Sequence, residues 1–258
     1  MAAPKRKYIE AAYELLRREG LDGVSIRKVA TEAGCSSAAL YKHFSDVDEL
    51  IAIASIRYLH DYTEDARTLA TVDLNPLELN LQLWECLAYY SFNDAPIFEN
   101  LFFGANSGEI SGRLTAEYYE NFPEELEDQK GFMQDMFAGS SMFERDSILL
   151  ARAEGLGMLS KKSAEYLCKV DTYLYRGMLA SIRDTYRDPE VARRTTREFM
   201  KLIIEGYRSH LERGYSILVV EPEVPKLTID TKMDKPRAYQ VVIPMNAKAK
   251  ARHKRSTG

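Results

Sequence analysis

The sequence predicts an all-α protein: an N-terminal three-helix helix-turn-helix domain on a larger helical body, with a short extended C-terminal tail. Three observations predict it. Apolar residues recur at helical spacing from Ile9 to Tyr207. Helix-start signals punctuate that pattern at Ser25, Ser45-Asp46, Asn75-Pro76, Ser160 and Asp188-Pro189. Gly34 joins two short periodic stretches within Ser25–Phe44, SIRKVATEAGCSSAALYKHF. That last pattern is a helix-turn-helix, whose second helix enters the DNA major groove while the first crosses over it.

In the first helix Ile9, Ala12, Tyr13 and Leu16 share an apolar face, with Lys5, Arg6, Lys7, Glu10, Arg17 and Arg18 on the others. Pro4 suits its first turn and Gly20 its end. Ser25 caps the second helix, which buries Ile26, Val29, Ala30 and Ala33. Gly34 suits the left-handed backbone of a tight turn. Cys35 follows where a small apolar group fits, and Ser36 or Ser37 caps the third helix. Leu40 and Phe44, four apart, pack that helix inward, which leaves Ser37, Ala38, Tyr41, Lys42 and His43 for outward faces. Ala38 and Ala39 are small enough for close approach to base edges. Ser45-Asp46-Val47-Asp48 has capping-box spacing for a fourth helix, expected to run on through Leu50, Ile51, Ala54 and Tyr58 to about Ala70 as a lever.

At these residues the chain resembles the TetR family of transcriptional regulators. The pattern is Ile9…Ala12…Leu16…Gly20, Val24-Ser25-Ile26…Val29-Ala30…Ala33-Gly34-Cys35-Ser36, then Leu40-Tyr41…His43-Phe44 and Leu50. The resemblance implies a homodimeric regulator that binds a palindromic operator in double-stranded DNA and is released by a small molecule. It assigns DNA binding to Arg27, Ser36, Ser37, Ala38, Ala39, Tyr41, Lys42 and His43. Arg27, Ser37 and Ala38 match base-reading positions; Ala39, Tyr41 and His43 match phosphate positions; Lys42 matches a variable outward one. The chain departs from the family at Val47, where many members carry a phosphate-gripping lysine. The reading helix is also plain, so specificity leans on Arg27, Lys42, thymine methyls and DNA shape.

Composition is that of a globular chain long enough for a real core, consistent with one small and one larger domain. The 258 residues are 45% hydrophobic and 29% charged, with a formal net charge of -4. Cations concentrate in the head, whereas between Asp61 and Glu144 only Arg67, Arg113 and Lys130 interrupt the acids. An acidic body is repelled by DNA and turns the head toward it. Cys35, Cys86 and Cys168 are far apart and lack CxxC spacing, which argues against a disulfide framework or a metal site and fits a reducing cytosol. No signal peptide precedes the head and no apolar run reaches membrane-spanning length, so a cytoplasmic protein is expected, with no membrane partner.

The expected domains are residues 1–46 for DNA, 47–214 for effector binding and dimerisation, and 215–258 as a basic tail. In the body a helix starts at Asn75-Pro76 and runs through Tyr90. Shorter ones are expected over Ile97–Phe103, Ile110–Phe122, Gly131–Ala138 and Phe143–Met158. The region is rich in large adaptable side chains of the kind that line apolar ligand cavities. Trp84, Tyr89, Phe98, Phe102, Met133, Phe137 and Met158 are the ligand-binding candidates, for an apolar or aromatic effector. Glu85, Asp94 and Glu154 are acids placed near apolar runs, where a cationic group would meet them. Two long helices close the body, from Ser160 to Ile182 and from Asp188 toward Gly214. Their faces offer Leu174, Met178, Leu179, Phe199, Ile203 and Tyr207 as the dimer interface. In the tail, Tyr215–Val220 and Tyr239–Ile243 are β-branched runs punctuated by prolines.

Two other readings remain at this stage. A protein-binding adaptor with a non-reading head is suggested by Val47 and the plain reading helix. An enzyme on a helical scaffold is disfavoured: the sequence has no nucleophile elbow, HExxH, P-loop or GxGxxG, and no catalytic residue, cofactor or metal ligand is assigned.

Overall fold

The structure, a computed structural model, describes residues 4–125 and 141–218. Helices account for the regular structure, and no strand occurs among the described residues. In chain order they are α1 (Pro4–Glu19), α2 (Ile26–Glu32), α3 (Ser37–Leu40), α4 (Val47–Ser55), α5 (Leu59–Ala70), α6 (Pro76–Asn93), α7 (Ala95–Phe103), α8 (Ser107–Glu109), α9 (Thr115–Asn121), α10 (Met142–Gly155), α11 (Lys161–Ser181) and α12 (Pro189–His210). The helix expected over Gly131–Ala138 and most of the tail lie outside the described residues. No described helix is long and apolar enough to cross a membrane.

The chain folds as two compact units. One joins the described residues of 1–60 with those of 94–145; the other joins 61–93 with those of 146–258. The units therefore interleave in sequence rather than dividing consecutively.

In the first unit α4 packs against α1 on one side and against α7 and α9. Its core is Ile9, Leu15, Leu16, Val29, Leu40, Phe44, Leu50 and Ile53, all buried. The cap of α4 sits one residue later than the Ser45 spacing suggested. Asp46 accepts from the Glu49 amide at 2.8 Å, and the Glu49 carboxylate accepts from the Ser45 amide at 2.7 Å. Glu49 also receives Arg113 at 2.6 Å, so the first turn of α4 is fastened to the segment before α9. Burial pushes the Glu49 carboxyl up, but the Ser45 amide and Arg113 outweigh it and hold the group below its ordinary value.

The expected continuous lever from Ser45 to Ala70 is broken. Residues Ile56–Tyr58 form a tighter 3₁₀ turn between α4 and α5. There the Arg57 guanidinium lies 4.8 Å from the Tyr13 ring centre and 5.9 Å from that of Phe122. The next residue, Tyr58, meets Tyr13 and Phe98 edge-on. Two adjacent side chains are both used for packing, which a regular helix splays about 100° apart.

The helix expected over Ile110–Phe122 is likewise interrupted, by a π-helical stretch at Ile110–Leu114. Ile110, Leu114, Tyr118 and Phe122 are all buried and each is four residues from the last. A spacing of four drifts around an α-helix of 3.6 residues per turn, and one wide turn restores the alignment.

In the second unit α6 packs chiefly on α12, and α11 packs on both. The Asn75 cap forms as expected: its side chain accepts from the Leu77 and Glu78 amides at 3.0 Å, and Glu78 reaches back to the Asn75 amide at 3.1 Å. Ser160 and Asp188 also cap their helices. An aromatic core of Trp84, Phe92, Tyr175 and Phe199 lies between α6, α11 and α12, with ring centres 5.4–6.0 Å apart.

Candidate nucleic-acid interface

The turn between α2 and α3 is built by the backbone. Gly34 has φ +63°, where a side chain strains the chain. Its amide bonds the Thr31 carbonyl at 3.1 Å, and the Cys35 amide reaches Ala30 at 2.9 Å. Those two bonds are the Schellman pair that closes a helix end. Ser25 caps the other end of α2 through the Lys28 amide at 3.3 Å. Cys35 is half-buried rather than buried, beside Tyr8.

With the turn fixed, α3 is oriented by its inward residues. Leu40 and Phe44 are buried, at 0% and 2% exposure. The opposite side is open: Ser36, Ala38, Tyr41 and Lys42 are exposed, with Ser37 and Ala39 half-buried. Tyr41 reaches 59% exposure, more than most large apolar side chains in the molecule. Burying so large a ring in a partner recovers apolar area that folding leaves wet. His43 is half-buried and lies against Tyr8, ring centres 5.6 Å apart, which fixes its direction. Arg27, near the start of α2, is exposed.

Charge in the head is less available than a count of cations suggests. Lys5 pairs with Glu117. Arg6 pairs with Glu10 at 3.0 Å and Glu124 at 2.6 Å, Arg17 with Glu14 at 3.3 Å, and Arg18 with Glu32 at 3.1 Å. Lys28 pairs with Glu19 at 2.7 Å, and its ammonium holds the Glu19 carboxyl below the usual range. Among the described residues Arg27 and Lys42 form no ion pair, so they carry net charge on the exposed surface of the helix-turn-helix. Val47 is half-buried at the start of α4 and offers no charge there.

Residues 9–53, which span this helix-turn-helix, match the family described as bacterial regulatory proteins, tetR family. Through this segment the chain is similar to the TetR family. Over 80 residues it is 39% identical to the HTH-type transcriptional regulator PksA of Bacillus subtilis, a match covering 31% of this chain and 39% of that one. Over 76 residues it is 33% identical to the HTH-type nicotine-responsive transcriptional repressor HdnoR of Paenarthrobacter nicotinovorans, covering 26% and 39%. The chain thus spans about two fifths of the length of these curated relatives. The TetR fold extends further than the sequence match. A TetR-family repressor, Thermus thermophilus FadR in complex with lauroyl-CoA, superposes with a TM-score of 0.50 at 16% identity, over 86% of this chain and 98% of that one. RolR in complex with resorcinol gives 0.51 at 13% identity, over 80% and 91%. At such identities the likeness is one of fold. TetR-family proteins are transcription regulators rather than enzymes.

The ligand-binding candidates do not gather in one unit. Trp84, Tyr89 and Met158 lie in the second unit, whereas Phe98 and Phe102 lie in the first. Met133 and Phe137 lie outside the described residues. Trp84 and Met158 are buried and Tyr89 is half-buried against Tyr90.

The dimer candidates need correction. Leu179, Phe199, Ile203 and Tyr207 are buried in the chain's own second unit, so they have no surface left for a partner. An amphipathic helix shows its apolar stripe equally well to its own core, which is what happens here. Leu174 and Met178 are half-buried. The outward apolar residues of α11 and α12 are Tyr166, Tyr173 and Leu202, at 53%, 63% and 48% exposure. Tyr166 and Tyr173 are seven apart, two turns along one face, a signal the sequence carried.

Sequence reasoning also missed the buried acids. Glu85, Asp94 and Glu154 are half-buried. The acids inside the second unit are Asp146 and Asp171, at 5% and 0% exposure.

Proposed function

We propose that this chain is a ligand-responsive transcriptional repressor of the TetR family that binds a palindromic operator as a homodimer and is released by a small apolar or aromatic effector. The observation that carries the reading is the exposed face of α3. Leu40 and Phe44 anchor the helix inward while Ala38, Tyr41 and Lys42 stand out beside Arg27. Small side chains admit the helix to the groove, Tyr41 and Lys42 meet phosphates, and Arg27 reaches bases.

Dimerisation sets two reading helices about 34–36 Å apart, or more on a longer operator. The exposed Tyr166, Tyr173 and Leu202 supply the self-complementary surface for it. In the first unit, the Glu49–Arg113 pair and the packing of α4 on α7 and α9 make α4 the element through which the head feels the helices behind it. An effector acts by preferring one position of α4, and its leverage is its differential affinity for the two states.

The test is a gel shift with a palindromic fragment from the promoter of the chain's own gene. A retarded band at low salt that weakens as salt rises supports the reading. No retardation of any such fragment at low salt overturns it, and a chain with neither affinity nor salt dependence is an adaptor instead.

A further inference from the structure

The second unit holds two buried carboxylates that no cation among the described residues neutralises. Asp146, on α10, accepts at one oxygen from Asn80 Nδ2 and from Trp84 Nε1, both at 2.8 Å. Asp171, on α11, accepts at one oxygen from the Tyr207 hydroxyl at 2.7 Å. Tyr207 in turn accepts from Asn80 Nδ2 at 2.7 Å. Asn80 and Tyr207 thus link the two acids in one chain of hydrogen bonds. The second oxygen of each carboxylate, Asp146 Oδ2 and Asp171 Oδ1, is buried and accepts none.

Neither acid forms an ion pair among the described residues. Cys168 stands by Asp146 as a weak donor, and exposed Lys169 acts on the Cys168 thiol. A buried ionised carboxylate with no cation is expensive, and two that feel each other are more so. Such a pair either holds a proton or waits for a positive charge. The Trp84 indole sits at the edge of this pair, with Tyr175 and Phe199 at 5.4 and 5.5 Å from it. Aromatic faces favour an organic cation over a strongly hydrated metal ion.

We propose that Asp146 and Asp171 are the charged end of the effector site, and that the effector carries a protonated amine which their two free oxygens receive beside Trp84. This rests on the ligand-responsive reading above and names the chemical class of its ligand. The amine replaces the proton that the empty pair retains. Burial drives the Asp146 carboxyl up to about 6, and burial together with Asp146 raises Asp171. The affinity for a fixed-charge cation therefore falls as pH drops through that range, because protons compete for the same oxygens.

Trp84 is the chain's single tryptophan, so its emission reports the site directly. The full chain is titrated at neutral pH with 2-phenylethylamine, with benzyltrimethylammonium, with the neutral isostere 3-phenylpropanol and with magnesium chloride. Saturable change with the two cations, little with the alcohol, and binding weaker by roughly thirty-fold or more in Asp171→Asn and Asp146→Asn support the site. Equal binding of the alcohol, no response to either cation at millimolar concentration, a matching response to magnesium alone, or unchanged binding in both variants overturns it. Should the variants fail to fold, the wild-type chain decides alone: benzyltrimethylammonium affinity that stays flat between pH 8 and pH 5 overturns the proposal. Operator binding is measured in parallel. Amine binding without DNA binding sinks the regulatory reading and leaves the site, whereas DNA binding released only by neutral compounds sinks the site and leaves the reading.

Discussion

The head and the buried acid network of the second unit solve the same problem, orienting polar groups, by opposite means. In the head the parts are neighbours in sequence. Gly34, its two Schellman bonds, and the Leu40 and Phe44 anchors all fall within about three turns of chain. In the acid network Asn80 meets a residue 66 positions away and another 127 away, and Asp171 meets one 36 away. Local construction gives a surface feature that is rigid before any ligand arrives. Construction from distant helices gives a buried feature whose geometry changes whenever α6, α10, α11 or α12 shift. A reader of DNA benefits from the first, and a sensor from the second.

That contrast is open to breakage. The largest effect is expected from Leu40→Ala, which empties the anchor of α3. It should cost about 2–5 kcal/mol in urea unfolding and abolish operator binding. Tyr207→Phe is next: it removes one of the two acceptors of Asn80 Nδ2 and the donor to one Asp171 oxygen, for about 1–3 kcal/mol. DNA binding by the folded fraction should survive, and its loss there would show that the two regions are not separable. Gly34→Ala should cost roughly 1–2 kcal/mol from backbone strain alone, since the nearest atom to an added Cβ is 3.9 Å away. Gly34→Asn should cost less, because asparagine tolerates the left-handed region.

The acid pair also sets a pH signature. Burial raises the Asp146 carboxyl to about 6, above its unfolded value near 3.8. A raised carboxyl stabilises the fold below the unfolded value, and that contribution is lost as pH rises through the folded value. The free wild-type chain should therefore lose stability between pH 4 and pH 7 relative to Asp146→Asn, measured by thermal unfolding at matched ionic strength. A parallel pair of curves would remove the network from the account. The smallest effect on stability belongs to Lys42→Ala, which should leave unfolding unchanged within error and alter only DNA binding.

Legibility in the sequence follows the same division. The caps at Ser25, Asn75, Ser160 and Asp188 were readable because a cap is a contact across two or three residues. So was the division of α3 into an inward Leu40–Phe44 side and an outward side with Ala38, Tyr41 and Lys42. The break at Ile56–Tyr58 was not, since Arg57 and Tyr58 are held by Tyr13, Phe98 and Phe122, which only the fold brings near. The same holds for cation availability in the head. Arg18 and Lys28 read as free charges until Glu32 and Glu19 arrive from a neighbouring helix or its end. The buried residues Leu179, Phe199, Ile203 and Tyr207 were read as an interface because periodicity marks a buried face without saying which chain buries it. Asp146 and Asp171 were missed although each falls on the buried stripe of its helix, three or four residues from Leu149 and Leu150 and from Leu167 and Tyr175, because an acid in a helix reads by default as solvent-facing.

The most direct test is the salt dependence of operator binding, followed by fluorescence anisotropy on a labelled palindromic duplex for the wild type, Lys42→Ala and Arg18→Ala. Log affinity should fall linearly with log salt. Lys42→Ala should flatten the slope by about one unit, while Arg18→Ala, whose charge is already paired with Glu32, should leave it in place. Binding that ignores salt, or a slope that responds to Arg18 and not to Lys42, would contradict the placement of DNA on the α3 face.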